Sequence, residues 1–140
     1  MFLLDTNVVS EMRKAGTGRA DARVVRWLAQ FDATSFYLSA VSVMELELGV
    51  LLAERRDSAQ GRFLRAWMGN QVLPEFAGRT LNVDQAVALR CARLHVPNPC
   101  AERDALIAAT ALVHGMSVVT RNIDDFTPTG VAVINPWAHE

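Results

Sequence analysis

Met1-Phe2-Leu3-Leu4-Asp5-Thr6-Asn7-Val8-Val9-Ser10 opens the chain with an apolar run that stops abruptly at an acid. Residues 2–5 are short and apolar and read as a buried first strand ending in Asp5. Thr6 to Arg13 then reads as a helix, with Asp5 or Thr6 as its cap. A buried strand running straight into a helix is the start of an α/β unit.

The same alternation continues along the chain. Asp21 can cap a second helix, in which Val24, Val25, Leu28 and Phe31 recur at helical spacing, and Phe36-Tyr37-Leu38 is a short strand. A long helix is predicted from Ser39 to about Arg56, apolar almost all round and therefore central. Another spans Ser58 to Asn70 with Phe63, Leu64, Trp67 and Met68 inward, and a short strand follows around residues 79–83. Asp84 caps a helix through Leu94, and a last long helix runs from Glu102 to His114, with Gly115 placed as its C′ residue. Ser117–Thr120 and Val131–Ile134 are the final strands. Short apolar strands alternating with helices predict an α/β fold with a mostly parallel central sheet flanked by helices. In such sheets ligands bind outside the carboxyl ends of the strands. That places Asp5 beside Thr120, Arg121 and Asn122.

The 140 residues fit one domain, and an apolar content of 51 % is enough for a core without staples. No apolar stretch reaches the roughly 20 residues of a membrane helix. The N-terminus carries no charged segment or cleavage site of a secretory signal. Cys91 and Cys100 fit neither a zinc spacing nor a disulfide framework, as expected of reduced thiols in a cytoplasmic protein. The net charge of −1 excludes a strongly basic nucleic-acid binder.

Three acids occupy positions that should be apolar: Asp5, Glu45 within Val41–Leu48, and Asp104 at the head of Asp104-Ala105-Leu106-Ile107-Ala108-Ala109. Each has a purely structural explanation. Asp5 can cap a helix, Glu45 stands three residues after Ser42 in the spacing of a capping box, and Asp104 sits where a helix dipole favours an anion. Together they suggest more. Glu45 shares a helical face with Val41, Leu48 and Leu52, and Asp104 shares one with Ile107, Ala108 and Ala111, all expected to be buried. A carboxylate driven into a core is costly unless paired, and three that converge suit a hard divalent cation such as Mg2+ or Mn2+. Glu47 lies about 200° round the helix from Glu45, so only one of the two can face such a site. With three acids neutralised by metal, 14 basic residues would face 12 acidic ones, leaving +2. Thr120 and Asn122 add neutral oxygens. Arg13, Lys14, Arg19 and Arg121 are candidates for phosphate contact. His95 and His139 read as surface residues without ligand spacing, and Trp27, Trp67 and Trp137 as core residues.

These blocks together resemble the PIN-domain nucleases. The strand with Asp5-Thr6-Asn7, the acid Glu45 with Gly49 four residues on, the block from Asp104, Val118-Val119-Thr120-Arg121-Asn122 and the tail Val133-Ile134-Asn135-Pro136-Trp137 match in order across the chain. The likeness is strongest to VapC toxins of the FitB-like branch, and it selects Glu45 over Glu47. It implies a Mg2+- or Mn2+-dependent endoribonuclease, the toxin of a toxin–antitoxin pair, built as a single PIN-like domain over residues 1–140. Asp5, Glu45 and Asp104 would hold the metal, with Asn122 and Thr120 orienting a water or second ion, and cleavage would leave a 5′-phosphate and a 3′-hydroxyl. The partners implied are the RNA substrate, a second copy of the chain and a small DNA-binding antitoxin. Many PIN nucleases carry Asp where this chain has Asn122. Its amide brings no charge, so a second metal would be held weakly unless Asp124 or Asp125 compensates. Two other readings fit parts of the pattern. A phosphatase-like α/β enzyme would want a second Asp where Asn7 stands. A non-catalytic PIN-like binding or scaffold module would use its acids as caps.

Overall fold

The computed structural model describes residues 1–139. Five parallel strands form one sheet in the order β3-β2-β1-β4-β5. The strands are β1 (Phe2–Leu4), β2 (Phe36–Ser39), β3 (Thr80–Leu81), β4 (Ser117–Val119) and β5 (Val133–Ile134). The helices between them are α1 (Thr6–Ala15), α2 (Ala22–Leu28), α3 (Ala40–Arg56), α4 (Ser58–Trp67), α5 (Leu73–Glu75), α6 (Gln85–Leu94), α7 (Glu102–His114) and α8 (Ile123–Phe126).

Side chains alternate across a strand, and the two leucines of β1 show the consequence. Leu4 and its β4 partner Val119 join Val8, Trp27, Phe36 and Trp67 in one core. Leu3 and its partner Val118 point to the opposite face and join Ile107, Ala108 and Phe126 in another. The sheet is thus covered on both sides, as all-parallel sheets require. All three tryptophans are buried.

Local signals set most boundaries. The Asp21 carboxylate accepts from Arg23 N, and Asp84 accepts from Val87 N, so both cap as expected. Gly115 ends α7 with φ 67°, the left-handed conformation that glycine adopts at least cost.

Several expectations are corrected. β1 ends at Leu4, leaving Asp5 as the N-cap of α1. The Ser42–Glu45 capping box does not form. Ser39 is the N-cap of α3, its Oγ accepting from Val41 N at 3.0 Å, and Ser42 lies inside the helix with a buried, unpartnered hydroxyl. α3 is not buried all round: Leu48 is 38 % and Leu52 49 % exposed, with Met44 and Leu51 also open. The helix expected to reach Asn70 ends at Trp67 and continues as one π-helical turn, Met68–Val72. The third and fifth strands shrink to two residues each.

Strand order reverses between β1 and β4. The chain first builds β2 and β3 on one side of β1, then returns to lay β4 and β5 on the other. The crevice at the carboxyl ends of these two central strands is where an open parallel sheet binds ligands.

Candidate active site

Asp5 is the first residue beyond β1, and Thr120 the first beyond β4. Asp5 N donates to Val119 O at 2.9 Å, holding the two strand ends together. Asp5 is buried, with 6 % of its surface exposed. It accepts from Thr6 N at Oδ1 (2.8 Å) and from the Thr120 hydroxyl at Oδ2 (2.8 Å), with Asn7 Nδ2 at 3.5 Å from the same oxygen. Burial raises its pKa. The two hydrogen bonds oppose that rise, while the charges of Glu45 and Asp125 add to it. The cap therefore has a second character: it is a buried acid facing other acids.

Glu45, in the second turn of α3, accepts a 2.8 Å hydrogen bond at Oε1 from the Thr6 hydroxyl. Its Oε2 lies 3.7 Å from Arg103 Nη1. Asp104, in the first turn of α7, completes the group. Its pKa is pushed up to about 6, first by burial and then by the charges of Asp125, Asp5 and Glu45. Acids from a strand end and two helices thus lie near enough for their charges to act on one another, although among the described residues the donor atoms of Asp5, Glu45 and Asp104 do not form a group within 4.8 Å of one another. Glu47 does not join them. Its carboxylate makes a two-point ion pair with Arg65, at 2.7 and 2.9 Å.

Thr120 is fully buried, and its Oγ1 is saturated: it donates to Asp5 and accepts from Asn122 N (3.0 Å) and Asn7 Nδ2 (3.3 Å). It orients Asp5. Asn122 is exposed and enters this network through its backbone N–H. Asp125, in the first turn of α8, is the strongest charged neighbour of Asp104, and with Asp124 and Asp104 it lines one cleft. Asp125 adds a further negative charge that acts on both Asp5 and Asp104. The sequence offers it only as one of two adjacent acids.

Arg13, Lys14 and Arg19 line a common cavity with Thr17, Gln60 and Phe63. Arg13 also lines the cleft holding Thr6, Ser10 and Glu45, so this basic patch adjoins the acids. Its guanidinium lies over the rings of Phe63 and Trp67, at 5.9 and 5.7 Å. Arg121 stacks over Trp137 at 5.3 Å. Arg103, beside the acids, is the cation that sequence reading missed. Periodicity carries no signal for a contact between α7 and α3.

A second donor group sits on α6 and the loop that follows. Cys91, His95 and Glu102 bring a thiol, an imidazole nitrogen and a carboxylate oxygen within 4.8 Å of one another. His95, expected at the surface without ligand spacing, is partly buried here. Cys100 N donates to His95 Nδ1 at 3.1 Å, so the neutral ring carries its proton on Nε2, facing Cys91 Sγ at 3.8 Å. A metal on Nε2 would move the ring proton to Nδ1 and set it against the Cys100 N–H. Burial also holds the Cys91 thiol above its usual pKa, helped by Glu102 and Cys100. The group is closed by its own hydrogen bonds.

The PIN domain family model matches residues 2–129. The chain is 39 % identical to Toxin FitB of Neisseria gonorrhoeae, over 98 % of this chain and 99 % of that one. It is 37 % identical to VapC ribonuclease Y4jK of Sinorhizobium fredii, over 98 % of both. Its fold superposes on the FitAB complex bound to an IR36 DNA fragment with a TM-score of 0.88 and 39 % identity, covering 100 % of this chain and 98 % of that one.

Proposed function

The chain belongs to the PIN-domain family, and from that premise we infer that it is a metal-dependent endoribonuclease, the toxin of a toxin–antitoxin pair. Its reaction runs at Asp5, Glu45 and Asp104. The observation that carries this assignment is that burial, and then the charges of Asp125, Asp5 and Glu45, push the Asp104 pKa up to about 6.

The donor set fits a hard divalent cation. All its members are carboxylate oxygens, the other acids add to the raised pKa of Asp5 and of Asp104, and the three come from separate elements. Mg2+ or Mn2+ is the proposed ion, held by Asp5, Glu45 and Asp104, with Asn122 or Asp125 beside a second position. Bound there, such an ion supplies Lewis acidity toward the phosphate and makes a water more acidic.

The remaining work belongs to the protein. Thr120 fixes Asp5 Oδ2, and Thr6 fixes Glu45 Oε1, which leaves Glu45 Oε2 turned toward the site. Arg13, Lys14 and Arg19, with Arg121, hold the RNA backbone. Phosphate contacts position a strand without reading its sequence. In-line attack leaves a 5′-phosphate and a 3′-hydroxyl.

The chain works as a single cytoplasmic domain, 1–140, and no helix of the described residues is long and apolar enough to cross a membrane. The open apolar ridge of α3, with Met44, Leu48, Leu51 and Leu52, supports pairing into a homodimer that binds a small DNA-binding antitoxin of the FitA or VapB kind. The FitAB complex on which the chain superposes is bound to a DNA fragment.

The test is incubation of the chain, freed of any partner, with mixed cellular RNA in Mg2+, Mn2+ or EDTA, beside Asp5→Asn. Cleavage should require metal, disappear in the variant and leave 5′-phosphates. Equal cleavage by wild type and variant would overturn the assignment.

A further inference from the structure

We propose that Arg103 is a phosphate-binding residue of this site, held on Glu45 in the metal-free protein and passed to an RNA phosphate once a divalent ion takes that carboxylate. The proposal rests on the assignment of Asp5, Glu45 and Asp104 as metal ligands.

The two oxygens of Glu45 have different partners. Oε1 is occupied by the Thr6 hydroxyl at 2.8 Å. Oε2 is the oxygen left for a cation, and Arg103 Nη1 stands 3.7 Å from it. Among the described residues Glu45 is the sole ion-pair partner of Arg103. At that distance, with the arginine side chain 50 % exposed, the pair is loose and easily exchanged.

Helix stability does not account for the arginine. Arg103 lies in the first turn of α7, where the macrodipole favours anions and disfavours a guanidinium. Other arginines near the cleft have aromatic partners, Arg13 over Phe63 and Trp67 and Arg121 over Trp137. Arg103 is thus the arginine whose partner is a site carboxylate.

A divalent ion at Glu45 Oε2 repels a guanidinium and competes for the same lone pairs. Arg103 must then leave, but its backbone adjoins Asp104, so its head stays within a side chain's length of the acids. A phosphate brought to the metal offers what the guanidinium has lost, an anionic oxygen pair suited to its planar fork.

Two readouts test this without relying on turnover. Mn2+ binding to the RNA-free protein is followed by the electron paramagnetic resonance signal of free Mn2+. Binding of a labelled mixed-sequence single-stranded RNA is measured in Ca2+ as a function of salt. Arg103→Met keeps the apolar stem and should bind Mn2+ about 2- to 10-fold more tightly, since a competing cation is gone. Its RNA affinity should fall, with the salt slope reduced by about 0.7, the value for one contact to a single strand. Arg103→Lys should restore the slope. Weaker Mn2+ binding by Arg103→Met would make the residue a support for Glu45 and overturn the exchange. An unchanged salt slope would overturn the phosphate contact. Equal Mn2+ binding by wild type and Asp5→Asn would remove the metal-site assignment itself, and this proposal with it.

Discussion

The Thr6 hydroxyl donates to Glu45 Oε1 at 2.8 Å, tying the first turn of α1 to the second turn of α3. Because Asp5 caps the same turn, two of the three acids are set by consecutive residues. Thr6→Val keeps the branched shape and removes the donor. Metal affinity should drop about 10- to 100-fold, as for lost support of a ligand, with the fold retained. A Mn2+ titration followed by circular dichroism of the apo protein checks both parts.

Asp104 predicts an unusual pH dependence for the metal-free protein. Its folded pKa, about 6, lies above the ordinary carboxyl value of 3.8. Between those values the folded chain binds more protons than the unfolded one, so stability falls as pH rises from about 4 to 6. Its contribution is fully present below the lower value and is lost through the upper one. Asp104→Asn should flatten this part of the profile and raise the apo melting temperature at pH 7 by about 3 °C, for about 1 kcal/mol after solvent screening. Melting curves between pH 4 and 8 in EDTA provide the comparison. A parallel profile in the variant would exclude Asp104 as the source.

Metal should reverse that penalty. Saturating Mn2+ at 100 times its dissociation constant should stabilise the wild type by about 2.7 kcal/mol. Asp5→Asn and Asp104→Asn should lose most of this gain, and an equal gain in all three proteins would place the ion elsewhere.

Glu47 serves as the control acid. It is held by Arg65 on the far side of α3 from the site, in an ion pair whose members are 38 % and 41 % exposed. Glu47→Gln should leave RNA cleavage unchanged and cost at most about 1 kcal/mol of stability. A large loss of cleavage with normal folding would show that the wrong acid has been assigned.

Gly61 marks a close approach of α4 to α3. A Cβ there would lie 2.6 Å from Glu54 Cα and 2.9 Å from Glu54 N, backbone atoms that cannot turn aside. Gly61→Ala should therefore push α4 away from α3 and destabilise by about 2 kcal/mol, lowering the melting temperature by about 6 °C. Unchanged melting would mean that the helices already have room to separate.

What the chain's own order of residues determined is local. Asp21, Asp84 and Gly115 act on backbone groups within a few positions, so their helix ends could be read directly, and the bounds of α7 agree residue for residue. The acids Asp5, Glu45 and Asp104 stand out in the sequence because charge interrupting an apolar periodicity is itself a local signal, and they are the ligands proposed above. Tertiary structure decided the rest, because it depends on contacts between distant segments. Leu48 and Leu52 share the helical face expected to be buried, yet the packing of α3 leaves them open. The helix start expected at Ser39 agrees with its cap there, but the Ser42–Glu45 pairing that the spacing also allowed is not made, because Glu45 Oε1 is taken by the Thr6 hydroxyl. Glu47 was removed from the site by Arg65, eighteen positions away, and Glu45 was oriented by Thr6, thirty-nine positions away. The placing of Arg103 and Asp125 beside the acids follows the same rule. A carboxylate's partner is chosen by which elements the sheet order brings to one crevice, and no periodicity within a single element encodes that choice.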